Sequence, residues 1–150
     1  MHAISRAEVI RLKPVAGRDY GFALRLYLQA MKPLTSEFIE WDEPEQRERF
    51  ARNWNAPNVR IIFSGRKRIG WLQLDETFSE ITLQQFFIAP EQQRRGIGSK
   101  VLDFLVPIWR ASGKPATLTV LRNNSARLFY ERCGFAVAGE EGVKLRMVRR

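Results

Sequence analysis

Three groups of residues in this chain could do chemistry: paired glycines flanked by arginines, an asparagine between a strand-like and a helix-like segment, and a tyrosine on an apolar helix face. The first lies in Phe86-Phe87-Ile88-Ala89-Pro90-Glu91-Gln92-Gln93-Arg94-Arg95-Gly96-Ile97-Gly98-Ser99-Lys100. A β-rich run passes into a turn, and the turn opens a helical pattern. Gly96 and Gly98 carry no side chain, so a ligand can come close to the backbone there. The first N–H groups of a helix lack partners and sit at the positive end of its dipole. Together they make an anion cradle suited to a phosphate or pyrophosphate, with Arg94 and Arg95 adding charge at its rim. By itself Gly-x-Gly is also an ordinary tight turn. It is not a dinucleotide fingerprint, because Val101 stands where the third glycine belongs. Nor is it a Walker loop, because Ser99-Lys100 are in the wrong order and the upstream glycine is absent.

The second constellation is Asn123-Asn124-Ser125-Ala126-Arg127-Leu128-Phe129-Tyr130-Glu131-Arg132-Cys133-Gly134-Phe135. Most of it reads as an amphipathic helix with a glycine stop. Asn123 falls where a strand end meets a helix start, a usual place for ligands in α/β sheets. Tyr130 shares the apolar stripe of Ala126, Phe129 and Cys133, and a buried phenol needs a partner for its hydroxyl.

These residues need elements to hold them. A first strand is expected over residues 7–13. A helix capped by Asp19, with Ala23, Leu26, Tyr27 and Ala30 on one face, should stop before Pro33. A second helix is expected from Glu43 to Trp54. Strands follow at Val59–Phe63, Ile69–Leu74 and Ser79–Ile88, close enough in sequence for an antiparallel meander. The helix from Gly96 should place Val101, Leu105 and Ile108 on one face, with Leu102 and Trp109 beside it, and Pro107 should kink or shorten it. A strand at Thr117–Leu121, the Tyr130 helix and a last strand at Val143–Val148 complete one domain over residues 1–150. The fold class is α/β (α+β): a mixed, mostly antiparallel sheet with helices on both faces.

Composition sets outer bounds. The chain has 150 residues, 25 Lys+Arg against 16 Asp+Glu, and a net charge of +9. That favours an anionic partner: nucleic acid, a membrane surface or a phosphorylated ligand. No apolar run approaches the roughly 20 residues of a membrane helix, and the start has no signal-peptide core. The single Cys133 makes no intrachain disulfide, and no Cys/His cluster offers a metal site. A reduced, cytoplasmic protein without a membrane partner is expected. The one histidine, His2, stands at a terminus and is not expected to be catalytic.

Two motifs in order carry a family resemblance. Gln93-Arg94-Arg95-Gly96-Ile97-Gly98 resembles the Gln/Arg-x-x-Gly-x-Gly/Ala signature of the GNAT N-acetyltransferases. Asn123-x-x-Ala126-x-x-Phe129-Tyr130-Glu131-x-x-Gly134-Phe135 is similar to that family's second motif, one helix and one strand later. The motifs cover about residues 80–136, and the element order extends the resemblance along the chain. It implies acetyl-CoA as cosubstrate and no metal. The pyrophosphate would lie on the backbone of Arg94, Arg95, Gly96, Ile97, Gly98 and Ser99. A bulged, splayed strand would free main-chain groups near Phe87 and Ile88 for the pantetheine arm, and an N–H near Ile88 would stabilise an oxyanion. Asn123 would contact the cofactor or a bound water, and Tyr130 would be the general acid.

The implied reaction is direct attack of a primary amine on the thioester. Such an amine, with a pKa of about 10.4, must first lose a proton. The strand Thr117-Leu118-Thr119-Val120-Leu121 holds no carboxylate. Glu80, Glu37, Glu40 and Asp42, or waters leading to Gln84 or Gln85, are the candidates for the base. Glu37, Glu40 and Asp42 in the expected acceptor wall would suit a cationic amine. The acceptor itself stays open among small amines, antibiotic amino groups, amino acids and protein termini, as does a homodimer. A second reading is a binding module, either a basic nucleic-acid-binding domain or an acetyl-CoA sensor. Against nucleic acid, the basic residues form no continuous stripe, and Trp41, Trp54, Trp71 and Trp109 sit in apolar contexts, so no specific nucleic acid is expected.

Overall fold

The computed structural model describes residues 9–150. In chain order the elements are β1 (Ile10–Pro14), α1 (Asp19–Thr35), α2 (Glu43–Asn53), β2 (Val59–Ser64), β3 (Lys67–Glu76), β4 (Ile81–Ile88), α3 (Ile97–Ser112), β5 (Ala116–Leu121), α4 (Ala126–Arg132), β6 (Ala136–Glu141) and β7 (Lys144–Arg149). The strands form one sheet in the order β1-β2-β3-β4-β5-β7-β6. All neighbours are antiparallel except β4 and β5. This is the mixed, mostly antiparallel sheet expected.

Each face has its own core. On one, Ala23, Leu26 and Tyr27 of α1 and Phe50 of α2 cover Val59, Ile61 and Trp71. On the other, Val101, Leu102, Leu105 and Trp109 of α3 and Tyr130 of α4 cover Ile62, Leu72, Leu118 and Met147. The helical periods in the sequence thus put one helix pair on each side of the sheet.

The central feature is a parting of β4 from β5. The register runs Gln73↔Gln85 and then Leu74↔Leu83, so Gln84 is one residue extra in β4. β4 and β5 pair at Ile81↔Ala116 and Thr82↔Thr117 and nowhere further along. A bulge bends its strand and increases the local twist. Past it, β4 stays with β3 and leaves β5 behind.

Several expectations are corrected. α1 continues through Pro33 to Thr35, because the proline falls in the last turn, where few bonds remain to lose, and Ser36 closes that turn onto the Lys32 carbonyl. Asp19 lies in the first turn of α1 rather than at the cap. It accepts from the Ala16 N–H at 2.7 Å and from Arg68 at 2.6 Å. Pro107 does not shorten α3, which runs on to Ser112; the proline is on the exposed side. Ile108 is exposed, and Leu102 and Trp109 take its place in the core. The last strand is a hairpin, β6–β7, turning at Gly142 with φ 58°. Residues 7 and 8 of the expected first strand, and His2, lie outside the described residues.

Candidate active site

The turn between β4 and α3 holds two residues in left-handed conformation, Arg94 (φ 64°) and Gly96 (φ 74°). Arg94 is the only non-glycine with positive φ among the described residues. That geometry costs an arginine about 1–2 kcal/mol, and such strain clusters at ligand-binding turns. Gly96 holds the cap position of α3 with no side-chain cap, and the first helical bond runs from the Lys100 N–H to the Gly96 carbonyl at 3.0 Å. The N–H groups of Ile97, Gly98 and Ser99 therefore have no helical acceptor. Ile97 is buried, so only its backbone can meet a ligand, while Arg94, Arg95, Gly96 and Ser99 are exposed. Arg95 reaches the Gln92 side chain at 3.5 Å. The two glycines differ in purpose. A Cβ on Gly96 would meet open space, whereas one on Gly98 would sit 3.1 Å from the Phe129 ring. Gly98 thus lets α3 and α4 approach each other, a role the sequence did not disclose.

Along β4, the direction of the main chain can be read from the ladder. The Ala89 N–H donates to the Ile69 carbonyl at 2.7 Å, and bonding alternates residue by residue in an antiparallel pair. The groups of Phe87 therefore face β3, where the carbonyl would collide with any Cβ on Gly70. Those of Phe86 and Ile88 face the gap beside β5. This revises the expectation for Phe87: its backbone is occupied, and its ring packs on Trp71 (5.5 Å) and Tyr27 (6.0 Å). The Ile88 carbonyl accepts from the Gln93 amide at 2.9 Å, and the Ile88 N–H points into the gap.

Where β4 and β5 part, a cavity of about 630 Å³ opens, lined among others by Gln84, Gln85 and Phe86 of β4, Thr119 of β5 and Tyr130 of α4. Tyr130 packs against Phe129 (5.3 Å) and Phe135 (5.8 Å). Burial, with a smaller contribution from Cys133, pushes its phenol well above the ordinary value of 10.0, which favours the protonated form. Asn123 donates to the Leu34 carbonyl at 3.0 Å and to Glu37 Oε2 at 2.6 Å. It thus fastens the segment after α1 to the end of β5. Its Oδ1 is buried without a protein partner. A larger groove of about 840 Å³ lies between β1, β3 and α3, but none of the candidate catalytic, cofactor-binding or base residues lines it.

None of the four carboxylates considered as base lines the cavity. Glu80 faces Arg146 at 3.5 Å, Asp42 caps α2 by accepting from the Glu45 N–H, Glu37 holds Asn123, and Glu40 is exposed. The carboxylates at the cavity are Glu140 and Glu141, from the hairpin missed in the sequence. Tyr27, Gln46 and Arg49 were missed as well. Tyr27 donates to Gln46 Oε1 at 3.1 Å, and its hydroxyl is pushed up by burial and held back by Arg49. The sequence signal available for them was the spacing of Gln46, Arg49 and Asn53 on one face of α2.

The family model of the acetyltransferase (GNAT) domain matches residues 57–137, which is 81 of the 150. The chain belongs to the GNAT acetyltransferase family. Solved structures agree with the fold. PaiA N-acetyltransferase from Thermoplasma acidophilum, in complex with coenzyme A, superposes with a TM-score of 0.76 at 18% identity, over 95% of this chain and 99% of that one. An acetyltransferase from Thermus thermophilus gives 0.71 at 20% identity over 99% of both chains. No curated protein matches the sequence significantly. Acetyl-CoA is the acetyl donor of GNAT acetyltransferases, and this chain has features that fit it: an uncapped helix start for phosphates, an open strand edge, and the unpartnered Asn123 Oδ1. Among the described residues no helix is long and apolar enough to cross a membrane.

Proposed function

We propose that this chain, as a single domain, transfers the acetyl group of acetyl-CoA directly to a primary amine. The observation that carries the reading is the opening of β4 from β5, with the bare N-terminus of α3 beyond the end of β4 and Tyr130 lining the gap. Acetyl-CoA supplies an electrophilic thioester carbonyl. The N–H groups of Ile97, Gly98 and Ser99, with Arg94 and Arg95 beside them, bind its phosphates. Main-chain groups of Phe86 and the N–H of Ile88 supply an edge for an extended arm, and the Ile88 N–H is a fixed donor for developing negative charge. Tyr130 holds a proton at Oη for a departing thiolate. Asn123 keeps the acceptor wall in place through its amide, and its buried Oδ1 is left without a partner in the protein.

An amine entering the cavity must shed a proton. Gln84 and Gln85 line its path, which supports water-mediated loss to solvent over a carboxylate base in the α1–α2 segment. The cations of the turn, which pair with no carboxylate among the described residues, favour the phosphorylated cosubstrate over a nucleic acid, and the lone Cys133 suits the reduced cytoplasm. The test is a panel of primary amines with acetyl-CoA, read as free thiol released and acetylated amine formed. Amine-dependent thiol release in the wild type, lost in Tyr130→Phe, is the expected result. Thiol release without an acetylated amine would refute the reading.

A further inference from the structure

We infer that the acceptor is an amine that also carries a carboxylate, and that Arg49 anchors that carboxylate. The inference rests on the proposed transfer to amines and names the acceptor class. Of the acidic residues expected to attract a cationic amine, Asp42 caps α2, Glu37 is bonded to Asn123, and the exposed Glu40 does not line the cavity. The cavity is instead lined by Arg49, Lys144 and Arg146 against Glu140 and Glu141. Each of the two hairpin cations already has a carboxylate beside it. Arg146 meets Glu80 at 3.5 Å, and Lys144 stands directly across from Glu141 in the β6–β7 register. Arg49 is on the opposite wall, and among the described residues it has no carboxylate within 4 Å.

The rest of that wall points the same way. Gln46, Arg49 and Asn53 recur at helical spacing and all line the cavity. Gln46 uses Oε1 to accept from Tyr27, so what it has left is the donor end of its amide. A guanidinium beside the donor end of an amide is a site for a group that only accepts, and its planar fork matches a carboxylate. A polyamine, with cations at both ends, would place charge against Arg49. The geometry therefore selects amines such as amino acids or short peptides with a free carboxyl end.

The experiment uses the whole chain with acetyl-CoA and amines in matched sets: an amino acid or dipeptide, its carboxamide, and the corresponding decarboxylated amine. The carboxylate member should show kcat/KM at least about tenfold above its carboxamide, as expected for one charge-assisted bidentate contact. Arg49→Ala should raise KM for the carboxylate member and close the gap between acid and amide, and Arg49→Lys should restore part of it. Carboxamides, decarboxylated amines or polyamines used as well as the acids would overturn the inference while leaving acetyl transfer to amines standing. So would an Arg49→Ala variant that slows acid and amide alike. Failure of every amine in the panel would remove the proposed reaction and this inference with it.

Discussion

On the proposed function, the donor half and the acceptor half of the cleft are built by opposite means. The donor half is local: β4, one turn and the first turn of α3 present backbone groups that a continuous stretch of sequence specifies. The acceptor half is assembled from α2, β4, β5 and the β6–β7 hairpin, and its walls are side chains far apart in the chain. A backbone site depends on conformation and tolerates exchange of most exposed side chains. A side-chain site depends on identity and can change ligand without changing fold. The contrast predicts where substitutions should abolish activity and where they should only redirect it.

Substitution at the junction of the halves should have the largest effect. Tyr130→Phe is expected to lower turnover by about 10²–10⁴-fold, the usual range for a general acid, with acetyl-CoA affinity unchanged by calorimetry. An unaffected turnover would make Tyr130 a packing residue. Next comes the donor turn. Gly96→Val has room for its side chain but not for its φ of 74°, so it should distort the cradle and lower CoA affinity by tenfold or more in a folded protein. Arg94→Gly should separate the two contributions of that turn, raising stability by about 1 kcal/mol through relief of left-handed strain while lowering affinity through lost charge. If both properties fall together, the strain is not where the backbone places it.

On the acceptor side the expected effects are smaller. Glu37→Ala removes one of the two bonds by which Asn123 holds this segment and leaves the one to the Leu34 carbonyl. It should raise the acceptor KM about three- to tenfold, in keeping with one hydrogen bond to a charged group, and leave CoA affinity alone. Asn123→Ala removes the tether and Oδ1 together and should weaken both ligands. Equal behaviour of the two variants would contradict the division of Asn123 between the halves.

The smallest effect is on stability at alkaline pH. Burial raises the ionisations of Cys133, Tyr27 and Tyr130 above their ordinary 9.0, 10.0 and 10.0. Each group is neutral in the folded chain, so its contribution is fully present below the ordinary value. Above it the unfolded chain releases a proton that the folded chain retains, and the contribution declines until the raised value is reached. Denaturant midpoints should therefore show no change from these three groups up to about pH 9 and then fall, with Tyr130→Phe flattening the steeper part above pH 10. A decline beginning well below pH 9 would point to other groups.

The same contrast explains what could be read in advance. The strand–turn–helix, the Asn123 junction and the Tyr130 stripe were legible, because glycine placement and apolar spacing report local conformation. The family resemblance implied a bulged strand here but not the position of the bulge, since Gln84-Gln85 reads as uninterrupted strand until its pairing with β3 is known. β6 escaped because Ala136-Val137-Ala138-Gly139-Glu140-Glu141 is an exposed edge with no buried face to impose alternation. Glu37 was read as a candidate base because a tether 86 residues long in sequence is invisible without the fold, and Asp42 because its capping of the helix it precedes was not weighed.

The central claim is that main-chain groups of the parted β4 and of the α3 start receive the cosubstrate. Titration of isotope-labelled protein with CoA, followed by amide resonances, tests it most directly. The account predicts the largest shifts at Ile88, Ile97, Gly98 and Ser99, with smaller ones along the α2 wall. Largest shifts in the groove formed by Ile10, Leu12 and Phe104, or none near the turn at saturation, would contradict it.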